Sequence, residues 1–131
     1  MLTIGSNLCV IDNSGAKIAK CLKNLKKINK QIVTIGDLII VVLKKFKSKK
    51  KIVKRTIYIG LVVGIKYWLN RKDGSLIRFF DNYVLIYNKQ FKFLGSRVYS
   101  IILKEVKIKI LKYKKYRTYF KKTIISNSFV I

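Results

Sequence analysis

TIYIGLVVGIKYW, residues Thr56 to Trp68, is the longest β-like stretch of the chain and decides its class. β-Branched and aromatic side chains fill it, and the glycines at 60 and 64 mark the bulges or tight corners at which a sheet curls into a barrel. Two turn signals come next. Asp73-Gly74 separates this strand from Leu76 to Phe80, and Asp81-Asn82 separates that piece from Tyr83 to Tyr87. Upstream, Gln31 to Ile35 and Leu38 to Leu43 read as two strands joined at the bend Gly36-Asp37. Ala16 to Leu25 alternates loosely, with Ile18, Lys20, Leu22 and Asn24 on one face and Lys17, Ala19, Cys21 and Lys23 on the other. Leu8 to Ile11 runs into Asp12-Asn13-Ser14-Gly15, a hairpin turn by its residue types. Six or seven short strands without a helical repeat predict a mainly β fold, a small barrel of SH3-like or OB-like kind.

After Gly95 the pattern changes. Ile101, Ile102, Leu103 and Val106 stand at helix-compatible spacing, with Ser100 as the expected cap and Glu105 in the first turns. Lys104 to Lys122 then carries nine basic residues with Tyr113, Tyr116, Tyr119 and Phe120 interleaved, the composition of an arm that stacks on bases and meets phosphates. The expected organisation is a barrel domain over 1–98 and a C-terminal helical extension over 99–131.

Thirty Lys and Arg stand against five acids among 131 residues, a net charge of +25, while half of the residues are hydrophobic. Enough Ile, Val, Leu and Phe is present to bury a core, so the charge lies on a folded surface, and phosphates of RNA or DNA are its natural complement. Lys44 to Arg55 concentrates eight of these charges in twelve residues and reads as a basic loop between strands. Catalysis finds no residue set: there is no His, and Glu105 is the single Glu. Cys9 and Cys21 lack metal-site spacing and read as small apolar residues of a reduced core, so neither metal nor cofactor is expected. The longest uncharged stretches, Met1 to Ile11 and Thr56 to Ile65, fall far short of the roughly 20 residues of a membrane span. Met1 to Ile11 has neither a basic start nor the Arg-rich character of a targeting peptide.

Four motifs in order carry a family resemblance: Val10-Ile11-Asp12-Asn13-Ser14-Gly15-Ala16-Lys17 with Cys21-Leu22-Lys23; Ile35-Gly36-Asp37-Leu38-Ile39; Arg71-Lys72-Asp73-Gly74-Ser75-Leu76-Ile77-Arg78-Phe79 with Asn82; and Leu94-Gly95-Ser96-Arg97-Val98-Tyr99 with Glu105. Over residues 1 to about 106 the chain resembles the universal large-subunit ribosomal protein fourteen in its bacterial and organellar form. The resemblance implies a five-stranded β-barrel with a C-terminal extension of small helices. It further implies a structural component of the large ribosomal subunit, bound to large-subunit rRNA. The implied neighbours are ribosomal protein nineteen, small-subunit rRNA across the subunit interface, and a ribosome-silencing factor on the C-terminal region.

The residues expected to meet rRNA are Asn13, Ser14, Lys17, Lys23, Lys44, Lys45, Lys47, Lys49, Lys50, Lys51, Lys54, Arg55, Arg71, Lys72 and Arg78. Ser96, Arg97, Tyr99, Lys121 and Lys122 are expected at the subunit interface or the factor-docking surface. Two departures from the family stand out. Ser100-Ile101 replaces the family's Gly-Pro, and Ile108 to Thr118 has no counterpart and reads as a basic insertion dispensable for folding. The competing class is a free-standing RNA-binding barrel acting in translation or ribosome maturation, and a peripheral membrane protein comes third. Twenty-one Ile, twenty-five Lys, two Ala and no Pro mark an A+T-rich genome, which suggests an organelle: a mitochondrion first, a plastid second.

Overall fold

The computed structural model describes residues 2–25, 31–47, 52–53, 56–113, 118, 120 and 131. In chain order these form β1 (Leu2–Thr3), β2 (Asn7–Val10), β3 (Ala16–Asn24), β4 (Ile32–Val33), β5 (Leu38–Phe46), β6 (Ile57–Gly64), β7 (Leu69–Asn70), β8 (Leu76–Ile77), β9 (Tyr83–Tyr87) and helix α1 (Lys104–Leu111). Strands β2, β3, β5, β6 and β9 close into a five-stranded barrel, with small two-stranded sheets β1–β4 and β7–β8 beside it. Every barrel seam is antiparallel except the last, where β2 runs parallel to β9 through Cys9↔Tyr83 and Val10↔Val84.

The central strand is the stretch quoted first. From Tyr58 to Ile65 β6 and its exit are buried throughout, and Gly60 pairs with Ile39 of β5 and Ile86 of β9. A Cβ there would stand 2.8 Å from Val84 Cγ2 and 3.1 Å from Val41 Cγ1, so only glycine fits. At Gly64 the register against β9 shifts, and Tyr83 and Phe79 fill the space a side chain would need. The glycine pair thus does what barrel closure asks: one allows close approach, the other bends the strand. Leu8, Ala19, Leu38, Val41, Leu61 and Leu85 are all buried in the hydrophobic core.

The face assignment of β3 is corrected. Ala16, Ala19, Cys21 and Asn24 are buried, while Leu22 turns outward beside Lys23. Register shifts against β5 at Ala16/Ile18, Ile18/Ala19 and Cys21/Lys23 break the simple alternation, and each extra residue moves the next side chains to the other face. Cys9 faces Ile18 and Cys21 faces Val41, so the two thiols are not a cross-strand pair. Burial pushes both thiols above their ordinary pKa, with the charge of Asp81 adding to the effect at Cys9.

Two further corrections concern the C-terminal part. Leu103, not Ser100, occupies the N-cap of α1, and no side chain caps it. Residues before it are held extended instead: Val98 bridges Asp12, Tyr99 N–H donates to the Ile11 carbonyl at 2.8 Å, and Ile131 N–H donates to the Ile102 carbonyl at 2.9 Å. The helix also runs through Ile108–Leu111, the start of the segment read as an insertion. Ile110 and Val106, four apart on one helical face, are buried, and Lys109 is tied to the barrel, so this first part belongs to the core. Phe120 is buried against Tyr87, ring centroids 4.7 Å apart, and lies 6.0 Å from Phe91. Among the described residues no helix is long and apolar enough to cross a membrane.

Candidate nucleic-acid interface

One end of the barrel gathers lysines from two separate motifs. The β2–β3 turn lies against the end of β5: Ala16 pairs with Phe46, Ile18 with Lys45, and Lys47 N–H donates to the Gly15 carbonyl at 2.8 Å. Lys17, Lys44, Lys45 and Lys47 are therefore brought together, all exposed. Lys44 and Lys45 stand on β5 itself, because the strand continues to Phe46 where the sequence suggests a basic loop. Among the described residues the ion pairs are Arg71–Glu105 and Lys109–Asp37, neither of which involves these four lysines. Such a cluster concentrates positive charge on a rigid base. Lys23 is exposed too, but it pairs with Ile40 toward the opposite end of β3. Lys49, Lys50, Lys51, Lys54, Arg55, Lys121 and Lys122 lie outside the described residues.

The turn itself works inward. Asp12 is buried and accepts bonds from Ser14 N–H at 2.9 Å, from the Ser14 hydroxyl, and from Ile86 N–H at 3.2 Å. Ser14 is buried with it, so its hydroxyl is committed to Asp12 and not presented to RNA. Asn13 reaches across to the other conspicuous motif. Its Oδ1 accepts from Ser96 N–H at 2.6 Å and Arg97 N–H at 3.1 Å, and its Nδ2 donates to Ser96 Oγ at 2.7 Å. Gly95 makes the approach possible, since a Cβ there would stand 2.9 Å from Asn13 Oδ1. Ser96, Arg97 and Tyr99 are left exposed on a segment pinned from beneath.

Burial pushes the Asp12 carboxyl above its ordinary value of 3.8, and the bonds from Ser14 and Ile86 only partly oppose it. The folded protein therefore holds this proton more tightly than the unfolded chain. Asp12 supports the fold at low pH and loses that contribution as pH climbs from 3.8 through the raised folded value. Urea unfolding across this range is expected to show the difference between the native chain and Asp12→Asn changing with pH, as the native carboxyl gains or sheds its proton and the amide does not. A pH-independent difference would contradict it.

The β7–β8 hairpin behaves in two ways. At its tip Asp73 Oδ1 accepts from Ser75 N–H at 3.0 Å and Ser75 Oγ at 2.7 Å, and Gly74 has φ of 84°, a turn former as its sequence suggests. Arg71, expected to meet phosphate, is instead engaged within the fold. Its Nε lies 2.8 Å from Glu105 Oε1, and one Nη donates to Glu105 Oε2 at 3.1 Å and to the Ile131 carbonyl at 3.0 Å. A two-point grip of this kind clamps α1 to the hairpin. Lys72 stays exposed. Arg78 lies over the indole of Trp68, its guanidinium carbon 5.7 Å from the ring centroid. The two border a groove of about 650 Å³ that Lys66, Leu76, Phe79 and Phe80 complete. Sequence reasoning missed this groove because its aromatics look scattered along the chain.

The comparisons with known proteins agree with this architecture. Residues 1–122 match the family described as Ribosomal protein L14p/L23e, a span that takes in the segment read as an insertion. The chain is also 41% identical over 100 residues to the "Large ribosomal subunit protein uL14" of Carsonella ruddii (strain PV), covering 76% of this chain and 82% of that protein. A closed five-stranded barrel, the joined turn and Ser96-Arg97 motifs, and a match across nearly the whole sequence make the chain a member of the L14 family of large-subunit ribosomal proteins, structural constituents of the ribosome and not enzymes.

Proposed function

We propose that the protein binds large-subunit rRNA through the barrel end that carries Lys17, Lys44, Lys45 and Lys47, with Lys23, Lys72 and Arg78 as outlying contacts. The single observation that carries this is the gathering of four exposed lysines from two motifs onto one rigid end of the barrel. Backbone phosphates packed where rRNA helices meet would relieve their mutual repulsion. The exposed Ser96 and Arg97, held by Asn13, and Tyr99, held by the Ile11 carbonyl, form the proposed surface toward the small subunit, ribosomal protein nineteen or a silencing factor. Rigidity supports that part: a segment fixed by three bonds to Asn13 loses little freedom when a partner docks.

For the compartment, composition points to a small A+T-rich genome, and we read it as mitochondrial. Mapping the coding gene to a mitochondrial genome is the expected result, and a plastid or bacterial chromosome would overturn it. The ribosomal assignment has its own test. In high-salt gradients the protein is expected to co-migrate with the large subunit; release into ribosome-free fractions would mark a loosely bound factor instead.

A further inference from the structure

We infer that the Trp68–Phe80 groove is a site for an unpaired nucleotide, whose base stacks on the aromatic rings while Lys66 and Arg78 hold its phosphates. This proposal deepens, and rests on, the rRNA-binding reading above. Trp68 is 54% exposed and Phe80 90% exposed, the latter the most exposed large apolar side chain among the described residues. Both line the groove beside Leu76, and the lining residues that carry charge are Lys66 and Arg78. Among the described residues no carboxylate lines it. Cations set beside exposed aromatic rings fit a ligand that is itself anionic and flat. A nucleotide has both properties, and within a duplex its faces are covered by neighbouring bases, so the occupant is single-stranded. The placement of Arg78 over the indole adds a cation at the ring where a phosphate would pass.

Trp68 is the chain's single tryptophan, so its emission reports on this groove alone. The full chain is titrated with single-stranded oligoadenylate RNA of about eight nucleotides, within the usual site size of such platforms. RNA duplex and inorganic polyphosphate serve as controls. Oligoadenylate is expected to quench Trp68, and the controls are expected to bind with little quenching. Phe80→Ala should weaken oligoadenylate binding by roughly fivefold to a hundredfold, the loss of one stacked base, and leave duplex affinity unchanged. Because the Phe80 ring is exposed, thermal unfolding of the variant should match that of the native chain.

Several results would overturn the inference: no quenching by oligoadenylate, equal quenching by polyphosphate, or an unaffected Phe80→Ala variant. Quenching by an acidic, apolar peptide but not by RNA would also overturn it and make the groove a protein-docking site. Binding of purified large-subunit rRNA without any change in Trp68 emission sinks the groove alone. Failure of that rRNA to bind at all sinks the broader reading as well.

Discussion

Replacing Asp37 by alanine is expected to destabilise the protein by about 3 kcal/mol, the lower end of what removing one partner from a buried charged network costs. The carboxylate is 2% exposed and accepts from Thr34 N–H and Thr34 Oγ1, both at 3.0 Å, and from Asn24 Nδ2 at 3.3 Å, besides pairing with Lys109 Nζ at 2.6 Å. Truncation leaves a buried Asn24 amide and the Thr34 N–H without this acceptor. The lower end is chosen because the Lys109 side chain is 30% exposed and its ammonium can turn to water. Lys109 Nζ also donates to Thr34 Oγ1 at 2.7 Å and to the Ile35 carbonyl at 2.9 Å, so the same cluster fastens α1 to the barrel. Urea unfolding of Asp37→Ala, Lys109→Met and the double variant measures the coupling. A loss below about 0.5 kcal/mol in Asp37→Ala, the range of ordinary surface changes, would show that the network is not what secures α1.

Neutralising Lys17, Lys44, Lys45 and Lys47 to glutamine is expected to have the largest effect on RNA. The slope of log affinity against log salt should flatten by about 0.7 to 0.9 for each phosphate no longer neutralised, or about three in all if every lysine meets one. Stability of the free protein should hold or rise, because four like charges in one place repel. Filter binding of large-subunit rRNA over a salt series reads the first quantity and thermal unfolding the second. An unchanged slope would assign the cluster to solvent.

Much of the barrel is legible from local chemistry. Tyr83 to Tyr87 forms a strand with the bounds its apolar run suggests, and Asp73-Gly74 turns where the residue types require it. Gly60 and Gly64 announce closure through their mere presence in an otherwise bulky strand. The features that stay hidden in the sequence depend on distant partners. Nothing near Arg71 says that Glu105 will neutralise it, and nothing near Asn13 says that Ser96 will occupy both ends of its amide. Three register shifts in β3 likewise break an alternation that is already loose in the sequence. The lysine cluster is half visible: each residue is conspicuous, but only pairing of β3 with β5 makes one surface of them.

The parallel seam has a consequence for how the molecule comes into being. Pairing of Cys9 with Tyr83 joins an early strand to the last one of the barrel, and such non-local pairings give nothing back until the intervening chain has been ordered. During synthesis the first hairpin emerges long before β9, and it must wait with one edge bare. Asn13 cannot hold Ser96 and Arg97 until that wait ends, because both follow β9 in the chain. Surface and closure thus mature together: a nascent or misfolded chain still carries its lysines, but it lacks the fixed outline formed by the two motifs.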